Sequence, residues 1–371
     1  MVLSRRDFLK AAAAGVAGGI LCPRLMPASA AADPTARPAF FYRAIANGLV
    51  ECGTCPHGCV IPDGGRGRCR TKENRGGRLY TLSYGNPCAV HVDPVEKKPL
   101  NHFFPGIKAF SIAVAGCNFS CLNCQNWEIS QTSPDKTRNY DLPPARVVES
   151  AIRYGCRAVA FTYSEPITFY EYMFDTASLA RARGLKTVWV SNAYLKPGPV
   201  EKLCGVIDAA VLNLKSFSEK TYQSLNGGSL APVLETLKIV KSKGVWLEIV
   251  NLVIPTYTDD MAEISRMSAW IAKNLGEDQV LHVIRFTPLY RLTHLPPTPE
   301  ETLKKAEAAA RREGLKYVYI GNVPGLGDTV FCKACGKALV KKDGFMVLEN
   351  KVRGGRCPFC GAAVPGRWDA A

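Results

Sequence analysis

The sequence predicts an α/β chain built on a parallel sheet or barrel, and three observations point to it. Between about Lys108 and Val323, short apolar, β-branched runs alternate with amphipathic stretches of helical period. The helical stretches stop at glycine, where a left-handed C-terminal cap favours it: Gly155, Gly184, Gly244 and Gly314. The strand interiors are nearly all apolar, as in a sheet covered on both faces. Such βα alternation implies parallel strands, with ligands at their carboxyl ends.

Taken in order, the strand-like runs are Phe110–Ala115, Ala158–Tyr163, Thr187–Ser191, Ala209–Leu214, Trp246–Ile254, Leu281–Phe286 and Tyr317–Ile320. The helix-like stretches between them include Pro144–Tyr154, Thr168–Arg183, Ala231–Lys243, Ala262–Leu275 and Pro299–Glu313.

Around this core the chain divides into further pieces. Residues 1–30 read as a twin-arginine-type signal segment: Arg5-Arg6 in Ser4–Lys10, an Ala/Gly-rich apolar stretch from Ala11 to Leu21, then Ala28-Ser29-Ala30 as a small-x-small cleavage site. The apolar stretch is too short and too weakly apolar for a stable membrane span. Leu21 before Cys22 disfavours a lipoprotein anchor. Residues 31–50 are a Pro/Ala-rich linker, 51–105 a Gly-rich segment with four cysteines, 106–325 the βα region and 326–371 a second cysteine-bearing module.

The 371 residues are 47% hydrophobic, enough to bury a sizeable core. Of the formal charge of +15, the first 30 residues carry Arg5, Arg6, Lys10 and Arg24 against Asp7. A surplus of that size suits an acidic partner, an anionic cofactor or RNA, or is simply scattered and solvated. The fifteen cysteines cluster at C-x2-C and C-x3-C spacing, which is metal-ligand spacing rather than a disulfide scaffold. Cys22, Cys88, Cys156 and Cys204 stand apart and read as small apolar residues.

Cys117-x3-Cys121-x2-Cys124 follows the first strand of the βα region. Four thiolates normally hold a [4Fe-4S] cube; three leave one iron open. An open iron can chelate the amino and carboxylate groups of a methionine. One electron passed into a sulfonium there breaks a C–S bond and releases a 5′-deoxyadenosyl radical from S-adenosylmethionine (SAM). A zinc site completed by a distant histidine is the plainer alternative, and the position at a strand end favours the radical chemistry.

Further segments carry a resemblance: Asp93–Leu100, Gly116–Asn118, Cys124–Ser130, Thr162–Pro166, Leu252–Pro255 and Gly321–Val323. From about Cys52 to Trp368 the chain resembles the radical SAM enzymes of the AmmeMemoRadiSam system, relatives of pyruvate formate-lyase activating enzyme. The resemblance implies a radical SAM partial (β/α)6 barrel with a [4Fe-4S] cluster and SAM as cofactors. It implies that Thr162, Ser164 and Glu165 meet the methionine amino group, that Asn192 lies near the ribose, and that Lys215 pairs with the methionine carboxylate. It also implies an electron donor such as a flavodoxin or ferredoxin, and AMMECR1-like and Memo-like partner proteins. Asn213 stands where relatives carry Asp, Ala193 where they often carry Gly, and Asn123 where an aromatic over the adenine is usual.

Cys332-x2-Cys335 and Cys357-x2-Cys360, each followed by glycine, have zinc-ribbon spacing, and a structural zinc would stabilise so small a module. Cys52, Cys55, Cys59 and Cys69 fit either zinc or an auxiliary iron–sulfur cluster, with His57 inside the group. Glu171 could face the site or solvent; His282 and Arg285 could point at substrate from inside a barrel, or sit in the core.

The reading is thus an enzyme, a radical SAM oxidoreductase of activating-enzyme type, abstracting hydrogen from an unknown protein or small-molecule substrate. A glycyl-radical-enzyme activase is a sub-case, weakened by the two extra cysteine sites. The contrasting class is a non-catalytic metal- and RNA-binding protein, which has no use for an open iron. A twin-arginine leader points to export of the folded protein, whereas the need for SAM points to the cytoplasm.

Overall fold

The computed structural model describes residues 36–369. The signal segment read at 1–30, Cys22 included, lies outside the described residues.

Eight strands form the main sheet: β1 Ala89–Pro94, β2 Lys108–Ala113, β3 Ala158–Phe161, β4 Lys186–Ser191, β5 Ala209–Asn213, β6 Trp246–Val253, β7 Val280–Arg285 and β8 Val318–Gly321. Their spatial order is their chain order, β2 to β8 are parallel, and β1 is an antiparallel edge. The seven strand-like runs match β2 to β8 within one or two residues at their N-terminal ends; at the C-terminal ends the first two runs extend two residues past the ladder. The helices of eight residues or more are α1 Pro144–Arg153, α2 Tyr170–Ala182, α3 Pro197–Cys204, α4 Leu230–Ser242, α5 Met261–Leu275 and α6 Glu300–Arg312. The stretch read as one helix from Thr168 begins instead with a 3-10 turn, Pro166–Phe169, capped by Glu165. The glycines after α1, α2, α4 and α6 have φ of 65°, 76°, 74° and 100°.

A strand order without reversal leaves no switch point at which helices change sides. The packing agrees. Val147, Met173, Leu203, Leu237, Met267 and Leu303, one from each helix, share a single core with Val159, Phe161, Trp189 and Leu212 on the sheet. The alternate strand positions Ala158, Ala160, Val188, Ala209 and Val211 face the other way and are small. Val95, Leu100, Phe103 and Phe104, from the loop between β1 and β2, fill that inner face. With helices on one side only, the sheet is the mostly parallel, singly wound sheet of a partial barrel.

The N-terminal segment adds two small antiparallel sheets: Tyr42–Ala44, Val50–Cys52 and Val60–Ile61 in one, Arg37–Pro38, Lys72–Arg75 and Arg78–Thr81 in the other. It docks beside the start of α2. Thr71 Oγ1 donates to Thr168 O at 2.8 Å, and a fully buried ion pair joins Lys72 to Glu171. Glu171 also accepts the Phe40 N–H at 2.9 Å. It therefore faces neither the site nor solvent, and breaking such a buried pair costs about 3–5 kcal/mol.

The C-terminal module is a three-stranded meander, Thr329–Phe331, Ala338–Asp343 and Met346–Asn350. Val330, Leu339, Val340 and Trp368 pack on Val280, Tyr317 and Tyr319, at the opening residues of β7 and β8. The two cysteine-bearing modules thus attach at opposite ends of the parallel strands.

Candidate active site

Cys117, Thr162, Asn192 and Lys215 lie within four residues of the C-terminal ends of β2, β3, β4 and β5, so the residues singled out in the sequence converge on one sheet edge. Gly116 turns the chain out of β2 with φ 112°; a Cβ there would lie 2.4 Å from Thr71 Cγ2 and 2.7 Å from Cys69 O. The loop is then held backbone to backbone. Gly116 N–H donates to Ile129 O at 2.8 Å, Ser120 N–H to Asn226 O at 2.9 Å, and Leu122 N–H to Leu225 O at 3.0 Å. The facing turn, Tyr222–Asn226, is one turn of π-helix, a form concentrated at functional sites.

Each sulfur of the loop meets donors. Cys117 Sγ accepts the Phe119 N–H at 3.3 Å and has Asn192 Nδ2 at 4.0 Å. Cys121 Sγ accepts Asn226 Nδ2–H at 3.2 Å. Burial and Cys121 push the Cys124 thiol up, opposed by the Asn126 N–H, the Ser130 hydroxyl and the Lys215 ammonium. Burial drives Cys117 up as well, followed by the charges of Glu165 and Cys121. Thiols so buried gain nothing from this many donors, whereas sulfurs carrying the charge of a metal-bound thiolate do. The donor set therefore fits an iron–sulfur cluster. Buried Asn123 Oδ1 and Asn226 Oδ1 have no hydrogen-bond partner beside it.

Glu165 is wholly buried and fully engaged. Its two oxygens accept the Ser191 hydroxyl at 2.6 Å, the Asn192 N–H at 2.8 Å and the Ile167 N–H at 3.3 Å. Burial raises it to about 7, with those bonds and Lys215 pulling the other way. It ties the end of β4 to the end of β3. Asn192 is placed by this bond and passes it on, donating to Asn118 Oδ1 at 2.7 Å. Ala193 has φ 62°, which explains why glycine suits that position. Ser164 donates to Val114 O at 2.6 Å, and Thr162 is buried with its N–H on Ile112 O at 3.1 Å. Lys215 is half-buried, its backbone N–H on Tyr222 Oη at 3.0 Å. Asn213 turns away, donating to Ser191 O at 3.0 Å.

The Asp93–Leu100 segment locks the end of β3. Asp93 binds Lys98 Nζ at 2.7 Å and Lys97 Nζ at 2.9 Å and accepts the Tyr163 hydroxyl. Burial lowers Lys98 to about 8. Tyr163 O in turn accepts Asn126 Nδ2–H at 2.8 Å, which connects this network to the cysteine loop. Sequence reasoning missed Asn118, Tyr163 and Asn226. Only the last has no signal at all, since its link to Cys121 spans 105 residues.

His282 and Arg285 are not directed at the site. His282 Nε2 lies 2.7 Å from Glu248 Oε2, a buried carboxylate that also accepts the Asn101 and His102 N–H groups and Trp246 Nε1–H. Arg285 Nε donates to Thr298 O at 3.0 Å.

Among the described residues, Cys332, Cys335, Cys357 and Cys360 are the one group of three or more His, Cys, Asp or Glu whose ligand atoms all lie within 4.8 Å of one another. Their sulfurs stand 3.6 Å (Cys332–Cys360) and 3.8 Å (Cys335–Cys357) apart, close to the edge of about 3.8 Å that tetrahedral zinc–thiolate bonds give. This group could bind a metal. Cys52, Cys55, Cys59 and Cys69 line a single pocket with Asn118 in its wall. No described cysteine is in a disulfide.

Comparison with known proteins places this geometry. Residues 111–267 match the radical SAM superfamily, and residues 2–21 match the twin-arginine translocation pathway signal sequence. A protein of Methanocaldococcus jannaschii, described as uncharacterized, is 41% identical over 331 residues, covering 88% of this chain and 98% of its own. The pyruvate formate-lyase 1-activating enzyme of Escherichia coli K12 is 23% identical over 230 residues, 58% of this chain and 93% of its own. The benzylsuccinate synthase activating enzyme of Thauera aromatica is 23% identical over 184 residues, 46% of this chain and 55% of its own.

The chain carries a radical SAM superfamily domain over residues 111–267. It is an enzyme of the radical SAM oxidoreductase type, homologous to glycyl-radical-enzyme activating enzymes, and its family implies a [4Fe-4S] cluster and SAM. The signal match points to export, and no helix among the described residues is long and apolar enough to cross a membrane.

Proposed function

We propose that Cys117, Cys121 and Cys124 hold the [4Fe-4S] cluster, with the fourth iron left open to the methionine end of SAM, and that the enzyme abstracts hydrogen from a protein or peptide substrate. The observation that carries this reading is the set of donors facing the three sulfurs from the Asn226 turn, Asn192 and the Cys124–Ser130 segment. When bound, the cluster supplies one electron that breaks the sulfonium C–S bond, giving methionine and a 5′-deoxyadenosyl radical.

The residues of the chain do the rest. The ammonium of Lys215, whose charge acts on both Cys124 and Glu165, is placed to pair with the methionine carboxylate. Thr162 and Ser164 stand at the amino-group side. Asn192 stands at the ribose side, positioned by Glu165. Asn123 offers its unpaired Oδ1 to the adenine amino group in place of aromatic stacking. The Cys332, Cys335, Cys357, Cys360 group holds a structural zinc at the far end of the barrel. A flavodoxin or ferredoxin supplies the electron, and AMMECR1-like and Memo-like proteins are the partners implied by the AmmeMemoRadiSam resemblance. The twin-arginine leader carries the protein out already folded with its cluster.

Anaerobically reconstituted protein given SAM and a reductant should form 5′-deoxyadenosine. The C117A/C121A/C124A variant should form none; continued formation would remove these residues from the site.

A second reading, activation of a glycyl-radical enzyme, is favoured by the homology to two activating enzymes. It requires that a glycyl-radical signal appear on a co-incubated partner protein.

A further inference from the structure

We propose that Cys52, Cys55, Cys59 and Cys69 hold a second iron–sulfur cluster, seated against the Cys117 loop so that the two clusters exchange an electron. The exchange rests on the reading of the Cys117 site given above; the nature of the second site does not.

The fold brings the four thiols to the lining of one pocket. Cys52 and Cys59 face each other across two short strands, Cys52 N–H donating to Cys59 O at 2.9 Å. Cys55 lies in the turn between them, and Cys69 arrives from the next hairpin. The thiols feel one another: after burial, the largest influence raising Cys55 is Cys52, then Cys69, and Cys69 likewise raises Cys52. Arg68 in the pocket wall brings positive charge to the thiols, and Lys72, although paired with Glu171, lowers Cys52.

Spacing decides between one ion and a cluster. Thiolates on one zinc stand about 3.8 Å apart, and the C-terminal quartet has that spacing at 3.6 and 3.8 Å. No three of the N-terminal quartet's sulfurs come within 4.8 Å of one another, and neither do those of Cys117, Cys121 and Cys124. The N-terminal quartet thus lacks the compact spacing of the C-terminal one, and shares that lack with the Cys117 loop.

Position supplies the role. The Cys69 carbonyl lies where a Cβ on Gly116 would sit, 2.7 Å away, so the quartet's own backbone packs on the residue before Cys117. His57, two residues after Cys55, has Nε2 2.8 Å from Asn118 O, and Asn118 follows Cys117. The Asn118 side chain continues the path, accepting from the Asn192 amide whose nitrogen lies 4.0 Å from Cys117 Sγ. In the relay, one electron enters at the quartet from a low-potential carrier of flavodoxin or ferredoxin class. It passes to the Cys117 site and ends in the C–S bond of SAM. The quartet returns to its starting oxidation state, the carrier is oxidised by one electron, and no proton or atom crosses between the sites.

The test uses the full chain, reconstituted anaerobically with ferrous iron and sulfide. The C117A/C121A/C124A variant leaves the quartet untouched. It should retain half the wild-type iron, about four per chain, with the Mössbauer signature of a cube. Loss of all its iron with a rise to two zinc per chain would overturn the proposal. C55S/C69S should lose the other half while keeping the metal of the C-terminal quartet and the wild-type circular-dichroism spectrum, which together report that the chain has folded; retention of all iron would again overturn it. In reduced wild type the paramagnetic signal of each cluster should be broadened by the other, and each variant should show an unbroadened signal. Two independent signals in the wild type would overturn the exchange. A triple variant that keeps four irons while wild type cleaves no SAM would sink the radical reading and leave the second cluster standing.

Discussion

The side-chain amide of Asn226 donates to the sulfur of Cys121 at 3.2 Å, joining two buried residues 105 positions apart. A donor on a cluster thiolate favours the reduced, more negative state. Replacing Asn226 by Leu removes it without leaving an unpaired group, and also removes an Oδ1 that has no partner. Loss of a hydrogen bond worth about 1 kcal/mol should lower the one-electron potential by roughly 40 mV. Iron content and melting temperature should stay near wild type. A redox titration followed by electron paramagnetic resonance measures the shift, and an unchanged potential would remove Asn226 from the cluster's environment.

Ala193 is fully buried at φ 62°. A left-handed residue costs an L-amino acid about 1–2 kcal/mol, and a β-branched one more. Ala193→Val should therefore destabilise by about 2 kcal/mol or more. Ala193→Gly should stay within about 1 kcal/mol of wild type, because relief of the backbone offsets the lost methyl and the added chain entropy. Urea unfolding of the two variants decides it; equal stabilities would count against strain at this position.

What the sequence made legible and what it hid have physical causes. β2 to β8 carry near-continuous apolar runs because helices and the 95–104 loop cover their two faces, so periodicity and length announce them. β1, Ala-Val-His-Val-Asp-Pro, escaped notice: it is an edge strand, mostly half-exposed, and its polar residues serve Lys97, Lys98 and Tyr163 rather than a core. The cysteines and strand-end polar residues were visible because their neighbours in sequence define them. The Lys72–Glu171 pair and the Glu165–Ser191 bond, at separations of 99 and 26 residues, have no local pattern, so Glu165 read as a ligand-facing group rather than as the tie between two strand ends. His282 reads first as a satisfied core histidine, with a barrel-interior, substrate-facing role as the alternative. Only the position of Glu248, 34 residues away, assigns it to the core.

Glu248 gives a pH dependence. Burial alone would raise its carboxyl, but the His282 bond, the His282 and His102 charges and Trp246 Nε1 hold it down to about 2 from an ordinary 4.5. A depressed carboxylate stabilises the fold above its unfolded pKa and loses that contribution as pH falls through the folded one. The window is therefore from about pH 4.5 down to about 2, and the integrated loss is on the order of 3 kcal/mol. Glu248→Gln should be less stable than wild type near neutrality, with the two stability curves converging as pH falls through this window. Parallel curves would show that Glu248 does not titrate with unfolding.

The C-terminal metal group should be separable from the cluster. Removing the Cys332 and Cys357 thiols with C332S/C357S should release one equivalent of metal and leave the iron of the Cys117 site in place, since the module packs at the opposite end of the strands. The module contributes Trp368 and the Pro365 carbonyl to the surroundings of His102, so limited proteolysis should accelerate at residues 326–371 first. Simultaneous loss of the iron in a folded variant would refute the separation.

Lys215 should act in SAM binding and not in cluster assembly. It lies two residues past Asn213, the last residue of β5, where parallel strands present ligand-binding groups. Its ammonium meets no acceptor among the described residues, yet its charge reaches Cys124 and Glu165, so it is held near the cluster by position rather than by a bond. An Asp at position 213 would hold such a lysine in place. Asn213 spends its amide on Ser191 O instead, which leaves Lys215 free to take a carboxylate that arrives with the ligand. A charge-assisted bond of this kind contributes about 1.5–3 kcal/mol, or one to two decades in affinity. Lys215→Ala should raise the SAM dissociation constant by that factor while iron and sulfide content stay unchanged. Asn213→Asp should tighten SAM binding by orienting the ammonium, or weaken it by competing for the charge; in the Lys215→Ala background it should do neither. Equilibrium titration of the three variants measures all of this, and superimposable curves for wild type and Lys215→Ala would take Lys215 out of the SAM site.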